Sequence, residues 1–149
     1  MNSLTWADIF IDAALLDFAT LLEQWPGLVT GQVRPIGASV FGNLFLERRS
    51  GEVEKIDVLE GGLHRVANSF SEFAGLMNSQ QWQEQNLLTV GIALLKEKGV
   101  TRGVGQFYGF APHPALVGSI EWSTVMPLDA VVWNSICAQV LSAPNAIKD

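Results

Sequence analysis

Two short connections, Ser50-Gly51 and Glu60-Gly61-Gly62, limit the fold of this chain more than any other feature. Parallel strands need a crossover of about a dozen residues or more, so runs joined by two or three residues must be antiparallel. The first run is read as a strand from about Ser39 to Arg48, with Val40, Phe41, Leu44, Phe45 and Leu46 supplying apolar surface. The second, Val53 to Leu59, alternates imperfectly but is rich in β-branched residues, and Leu63–Ala67 returns beside it. The expected unit is an antiparallel meander.

Helical patterns flank it. Thr5 with Asp8 three residues on marks a helix start, and Trp25-Pro26-Gly27 marks its stop. Within residues 5–25, Phe10, Ile11, Ala14, Leu15, Phe18, Leu21, Leu22 and Trp25 share one arc of a helical wheel. A short helix capped by Asn68 or Ser69 is expected next, then one from Ser79 to Gly99. A strand at 119–125 and a last helix at 127–141 complete the pattern, with 142–149 as a loose tail. The fold class is therefore α+β. It comprises an antiparallel sheet of about four to six strands, helices packed on one face, and the N-terminal helix closing an edge. Residues 1–33 form an acidic helix and connector, and residues 34–141 the main domain.

Length and composition fit one ordinary globular domain: 149 residues, 48% hydrophobic and 16% charged. The net charge is −6, and residues 1–33 hold four acids and no base. Nucleic-acid binding needs a basic face that displaces counterions, so it is not expected. The N-terminus lacks the basic start of a signal peptide, and Asp8, Asp12 and Asp17 interrupt its apolar runs. No membrane span is expected, and the single cysteine, Cys137, fits a reducing compartment. The location expected is cytoplasmic.

The stretch from Gly105 to Gly118, "GQFYGFAPHPALVG", poses the functional question. It is either an active-site loop around His113 or a turn that carries aromatic rings into a core. His64 and His113 are the two histidines, and neither accompanies a nucleophile elbow or an activated cysteine. Their spacing with Cys137 matches no metal-ligand pattern, and Gly99–Gly105 lacks the Lys-Ser/Thr of a phosphate loop. No enzyme, metal or cofactor is expected. Separately, Asp8, Asp12 and Glu23 cluster on the polar side of the N-terminal helix, with Ile9 and Leu16 beside them. That face is either a partner surface or one covered by a small second element.

Four features follow one another in order along the chain. They are Phe41-Gly42-Asn43-Leu44-Phe45, the strand Val53–Gly61, the helix carrying Phe70, Phe73 and Met77, and Tyr108-Gly109-Phe110-Ala111-Pro112 followed by Gly118. Together they resemble the C-terminal domain of type VI secretion immunity proteins across roughly residues 34–141. Members of that family commonly carry a GAD-like N-terminal portion, in whose place this chain has the helix expected at 5–25. The resemblance implies a non-catalytic protein that neutralises a cognate toxin by binding it. It also implies a structural role for Tyr108-Gly109-Phe110-Ala111-Pro112, with His113 on a rigid loop. Two rival readings stand beside it. One is a small-molecule module using Phe107–Pro114, with Tyr108, His113 and Trp122 as polar contacts. The other is a homodimer or larger homo-oligomer that buries Ile9 and Leu16.

Overall fold

The computed structural model describes residues 4–142. The architecture is α+β. Strands β1 (Phe10–Asp12), β2 (Val33–Ser39), β3 (Leu44–Arg48), β4 (Val53–Ile56) and β5 (Leu63–Ala67) lie side by side in chain order, each pair antiparallel. The meander expected from the short turns is thus present as β3–β5, with two strands more at its start. The single strand expected over Ser39–Arg48 is instead the end of β2, a turn, and β3. Ser39 makes that turn: its N–H donates to the Asn43 carbonyl at 2.9 Å, while its hydroxyl accepts from the N–H groups of Phe41 and Asn43. Gly42, at φ +103°, takes the left-handed conformation the turn requires.

The N-terminal segment departs most from expectation. A single helix over 5–25 is replaced by α1 (Trp6–Ile9), β1, a 3₁₀ turn at Ala13–Leu15, and α2 (Phe18–Glu23). Aspartates divide it. The Asp12 carboxylate accepts from the Ala14 N–H at 2.9 Å, and Asp17 accepts from the Thr20 N–H and hydroxyl. Each offers the backbone a cap that a continuous helix would have to forgo. The sheet edge is therefore closed by β1 rather than by a helix. Gly37 admits it, because a Cβ there would collide with the Ile11 carbonyl oxygen and the Phe10 ring.

The helix expected from Ser79 to Gly99 is two, α4 (Gln80–Leu87) and α5 (Thr89–Glu97), broken at Leu88 with φ +56°. Glu84 supports the break by accepting from the Val90 N–H at 2.7 Å and the Thr89 hydroxyl at 3.0 Å. Before them, α3 (Phe70–Met77) is capped by Ser69, whose hydroxyl accepts from the Glu72 N–H, while Glu72 accepts from the Asn68 N–H.

A second, two-stranded sheet pairs β6 (Gln106–Phe110) with β7 (Val125–Asp129). The strand expected at 119–125 lies further on, because Pro127 sits within β7 rather than opening a helix. The Tyr108 N–H donates to Val40 O, away from β7, so its partner Pro127 turns its hydrogen-less nitrogen to the outer edge. An outward edge position is where a strand tolerates proline. The last helix, α7 (Ala130–Ser142), starts instead at Asp129, whose carboxylate accepts from the Val132 N–H. The rest of the expected tail lies outside the described residues.

Substituting Gly37→Ala should unseat β1 from β2 and lower stability by about 1–3 kcal/mol, the usual range for overpacking. Urea unfolding would measure the loss, and amide exchange should show it concentrated at Phe10–Asp12.

Candidate interaction groove

The aromatic stretch resolves into a strand, a turn and a cap. Gln106–Phe110 is β6, the Ala111–Pro112 peptide is cis, and Pro114 opens the short helix α6 (Pro114–Val117), which Gly118 ends at φ +83°. The two motifs that stood apart in sequence meet here. Phe41 packs on Tyr108 and Phe110, each with ring centres 5.8 Å away, and edge-on against Trp122 at 5.6 Å. Leu44 and Phe45 are buried in the main sheet's core. Gly109 is required because a Cβ would press into Leu128 and Trp133.

His113 is 2% exposed, so the rigid loop does not present it at a surface. Its Nε2–H donates to the Val58 carbonyl at 2.8 Å, and its Nδ1 accepts from the Ala115 N–H at 3.0 Å. A carbonyl can only accept and an amide N–H can only donate, so these partners fix one neutral tautomer. Asn43 holds the other side of the same residue, its Oδ1 accepting from the Val58 N–H at 2.8 Å. Tyr108 donates its hydroxyl to the Val100 carbonyl and lines a recess of about 360 Å³ beside Lys96 and Arg102. Trp122 is half-buried and covers Gly91. Cys137 is buried, and burial pushes its thiol well up. Among the described residues no group of three or more His, Cys, Asp or Glu is placed to hold a metal ion, and no helix is long and apolar enough to cross a membrane.

The acidic face expected on the N-terminal helix does not exist as one face. Ile9 is buried and Leu16 half-buried against the core, so the packing alternative describes both. Asp8 belongs to α1, where it accepts from the Thr5 N–H at 2.7 Å and from Lys96 Nζ at 3.0 Å. Those two partners hold its carboxyl below the usual range, against a modest cost of burial. Asp12 ends β1. Glu23 lies at the end of α2 and lines a separate recess of about 540 Å³ between Trp25 and α7.

What the N-terminal segment builds instead is a groove. It is an open trough of about 880 Å³ between residues 6–15 on one side, Arg34–Ile36 of β2 along one border, and α3 opposite. Trp6 and Phe70 stand on its two sides, 48% and 43% exposed, and Leu15 adds a third apolar side chain at 60%. Leu15 was expected in the core; the 3₁₀ turn rotates it outward. A chain of rings leads inward from both sides: Trp6 to Phe10 at 5.8 Å, Phe10 to Phe45 at 5.7 Å, Phe45 to Phe73 at 5.6 Å and Phe73 to Phe70 at 6.1 Å. Arg34 lies 5.9 Å from the Phe70 ring centre and is paired with Glu47. The Trp6 wall is fastened from outside by Lys96 on Asp8, and by Arg102 donating to the Ala7 carbonyl at 3.3 Å.

Trp6, Leu15, Arg34 and Phe70 were not singled out as a site by sequence reasoning. Periodicity assigned Leu15 to a buried arc, and Phe70 lay in a motif read as structural.

Burial disfavours the charged form of His113 and holds its pKa below the ordinary 6.5. The unfolded chain therefore binds the proton first as pH falls. Stability should be complete above that value and decline as pH falls below it toward the lowered folded-state value. Denaturant unfolding at a series of pH values should show the slope, and His113→Gln should flatten it.

Neither a family model nor a curated protein matches the chain. Among solved structures it is similar to the crystal structure of Atu4351 from Agrobacterium tumefaciens. The two share 18% sequence identity, with a TM-score of 0.57 over 86% of this chain and 68% of the other. At that identity the likeness speaks to the fold alone.

Proposed function

We propose that this chain is a non-catalytic protein-binding domain of the immunity type, which neutralises a bacterial toxin in the cytoplasm by direct contact. The observation that carries the reading is the groove, with Trp6, Arg34 and Phe70 around it. Monomeric proteins seldom display large apolar side chains together without a use for them, and Trp and Arg dominate the energetic centres of protein interfaces. The order of the family-like motifs supports the same reading, since residues 41–45 and 108–112 pack as a structural joint. His113 supports it too. Both its ring nitrogens are engaged by backbone groups, and it has no free lone pair to act as a base.

The contact surface proposed is thus the groove, in place of the acidic helix face. The small-molecule reading has less behind it, because His113 is enclosed and Phe41 fills the space between Tyr108 and Trp122.

The test uses the polypeptide encoded beside this gene. Expressed alone in a heterologous host it should arrest growth, and co-expression of this chain should restore it. Trp6→Ala together with Phe70→Ala should abolish the rescue and weaken binding by about tenfold or more, the scale of an interface centre. Full rescue by the double variant would move the contact elsewhere. Absence of both toxicity and binding would falsify the immunity reading.

A further inference from the structure

We infer that the recess beside Lys96 and Arg102 takes up a small monocarboxylate, held on an edge of the Arg102 guanidinium that the fold leaves empty. This site goes beyond the immunity reading and does not rest on it.

The recess, of about 360 Å³, lies between α1, the end of α5 and the loop leading into β6. Ile92, Val100 and Val104 give it an apolar lining, and Asp8, Lys96 and Arg102 give it charge. Lys96 Nζ is committed to the Asp8 carboxylate at 3.0 Å, so those two charges cancel. Arg102 remains. It is half-buried, and burial holds its pKa below the ordinary value, while Tyr108 and Asp8 nearby offset part of that cost.

The donors of this guanidinium show what it lacks. Nη1 donates to the Gln106 carbonyl at 3.4 Å and the Gly103 carbonyl at 3.5 Å, and Nη2 donates to the Ala7 carbonyl at 3.3 Å. All three acceptors are neutral, and the distances are long for a charged donor, which bonds a carboxylate at about 2.7–2.9 Å. Nε takes no acceptor among the described residues. The Nε–H and one N–H on Nη2 are therefore left over. Those two nitrogens form the edge on which a carboxylate binds with both oxygens.

The chain fills that edge elsewhere. Arg34 gives Nε and Nη2 to Glu47, and Arg48 gives Nε to Glu54 at 2.6 Å. None of the described carboxylates forms an ion pair with Arg102. A partly desolvated cation with this edge open is completed by an anion from outside. The net charge of one sets a singly charged ligand, and the lining suits a short hydrocarbon. Phosphate would bring a second negative charge up to Asp8.

The test titrates the full-length protein, at constant ionic strength, with isobutyrate, its neutral isostere isobutyramide, inorganic phosphate and N-acetylvaline. Nitrogen-15 NMR follows the Arg102 Nε–H, and Tyr108, the single tyrosine, reports from the wall. Isobutyrate should shift both signals saturably, isobutyramide should not, and phosphate should bind more weakly. Tighter binding of N-acetylvaline than of isobutyrate assigns the carboxylate to a peptide C-terminus, and the reverse order to a free acid. Arg102→Lys keeps the charge but loses the two-point edge, and should weaken binding by about tenfold. Because Arg102 also holds the Ala7 carbonyl, Val104→Asp is the second variant. Val104 is 86% exposed, so an acid there spares the fold and should repel the ligand about threefold or more. The inference is overturned by the lack of a saturable shift below about 100 mM carboxylate. It is overturned equally by a matching response to isobutyramide, by a preference for phosphate, or by unchanged affinity in both variants.

Discussion

Two sheets that share no ladder have to be held in a fixed relation, and the turn around Phe41 does this. The Trp133 indole N–H donates to the Phe41 carbonyl at 2.8 Å, and the Tyr108 N–H donates to Val40 O at 2.8 Å. Both donors come from the second sheet and its helix, and both acceptors sit where β2 hands over to β3. Gly42 makes the approach possible, since a Cβ there would press against Trp133 and Phe107. Around these bonds Phe41, Tyr108, Phe110, Trp122 and Trp133 form one aromatic body. Its buried polar atoms are paired, which matters because an unpaired one costs about 1–3 kcal/mol.

The protein's rings therefore serve two ends. At the joint they are enclosed, and the polar groups among them are paired: His113 and Asn43 clasp the backbone carbonyl and amide of Val58, and the Trp25 indole N–H donates to the Asn134 side-chain oxygen at 2.8 Å. At the groove the chain of rings starts in the core at Phe45 and ends in solvent at Trp6 and Phe70. A rigid base carrying two exposed ends is well suited to recognition, because little side-chain freedom remains to be lost on binding.

The sequence disclosed those parts of the fold that are governed by neighbours along the chain. Two- and three-residue turns dictated an antiparallel meander, and β3 through β5 obey. The paired motifs at 41–45 and 108–112 were visible as motifs, although their meeting in space was not. What stayed hidden depends on partners far away. β1 is a three-residue strand inside an apolar periodicity that also suits a helix, and only Gly37, more than twenty residues on, gives it a place. Leu88 is an ordinary leucine whose left-handed backbone is sustained by the Glu84 cap. The groove combines residues 6–15, 34–36 and 70–77, so no local pattern announced it. The acidic residues were legible as a charge imbalance, but their arrangement on a single helix was an artefact of assuming that helix.

Pro127 has a further meaning when set beside the exposed rings. A molecule that displays tryptophan, phenylalanine and leucine in solvent runs the hazard of sticking to its own copies. Along β7 a cross-molecular zipper would find a missing hydrogen at its midpoint, and Pro35 puts the same gap beside the groove. Side chains here are adhesive and the adjoining backbone is not. The exposed rings are thus carried without an adjoining strand edge that would seed fibres.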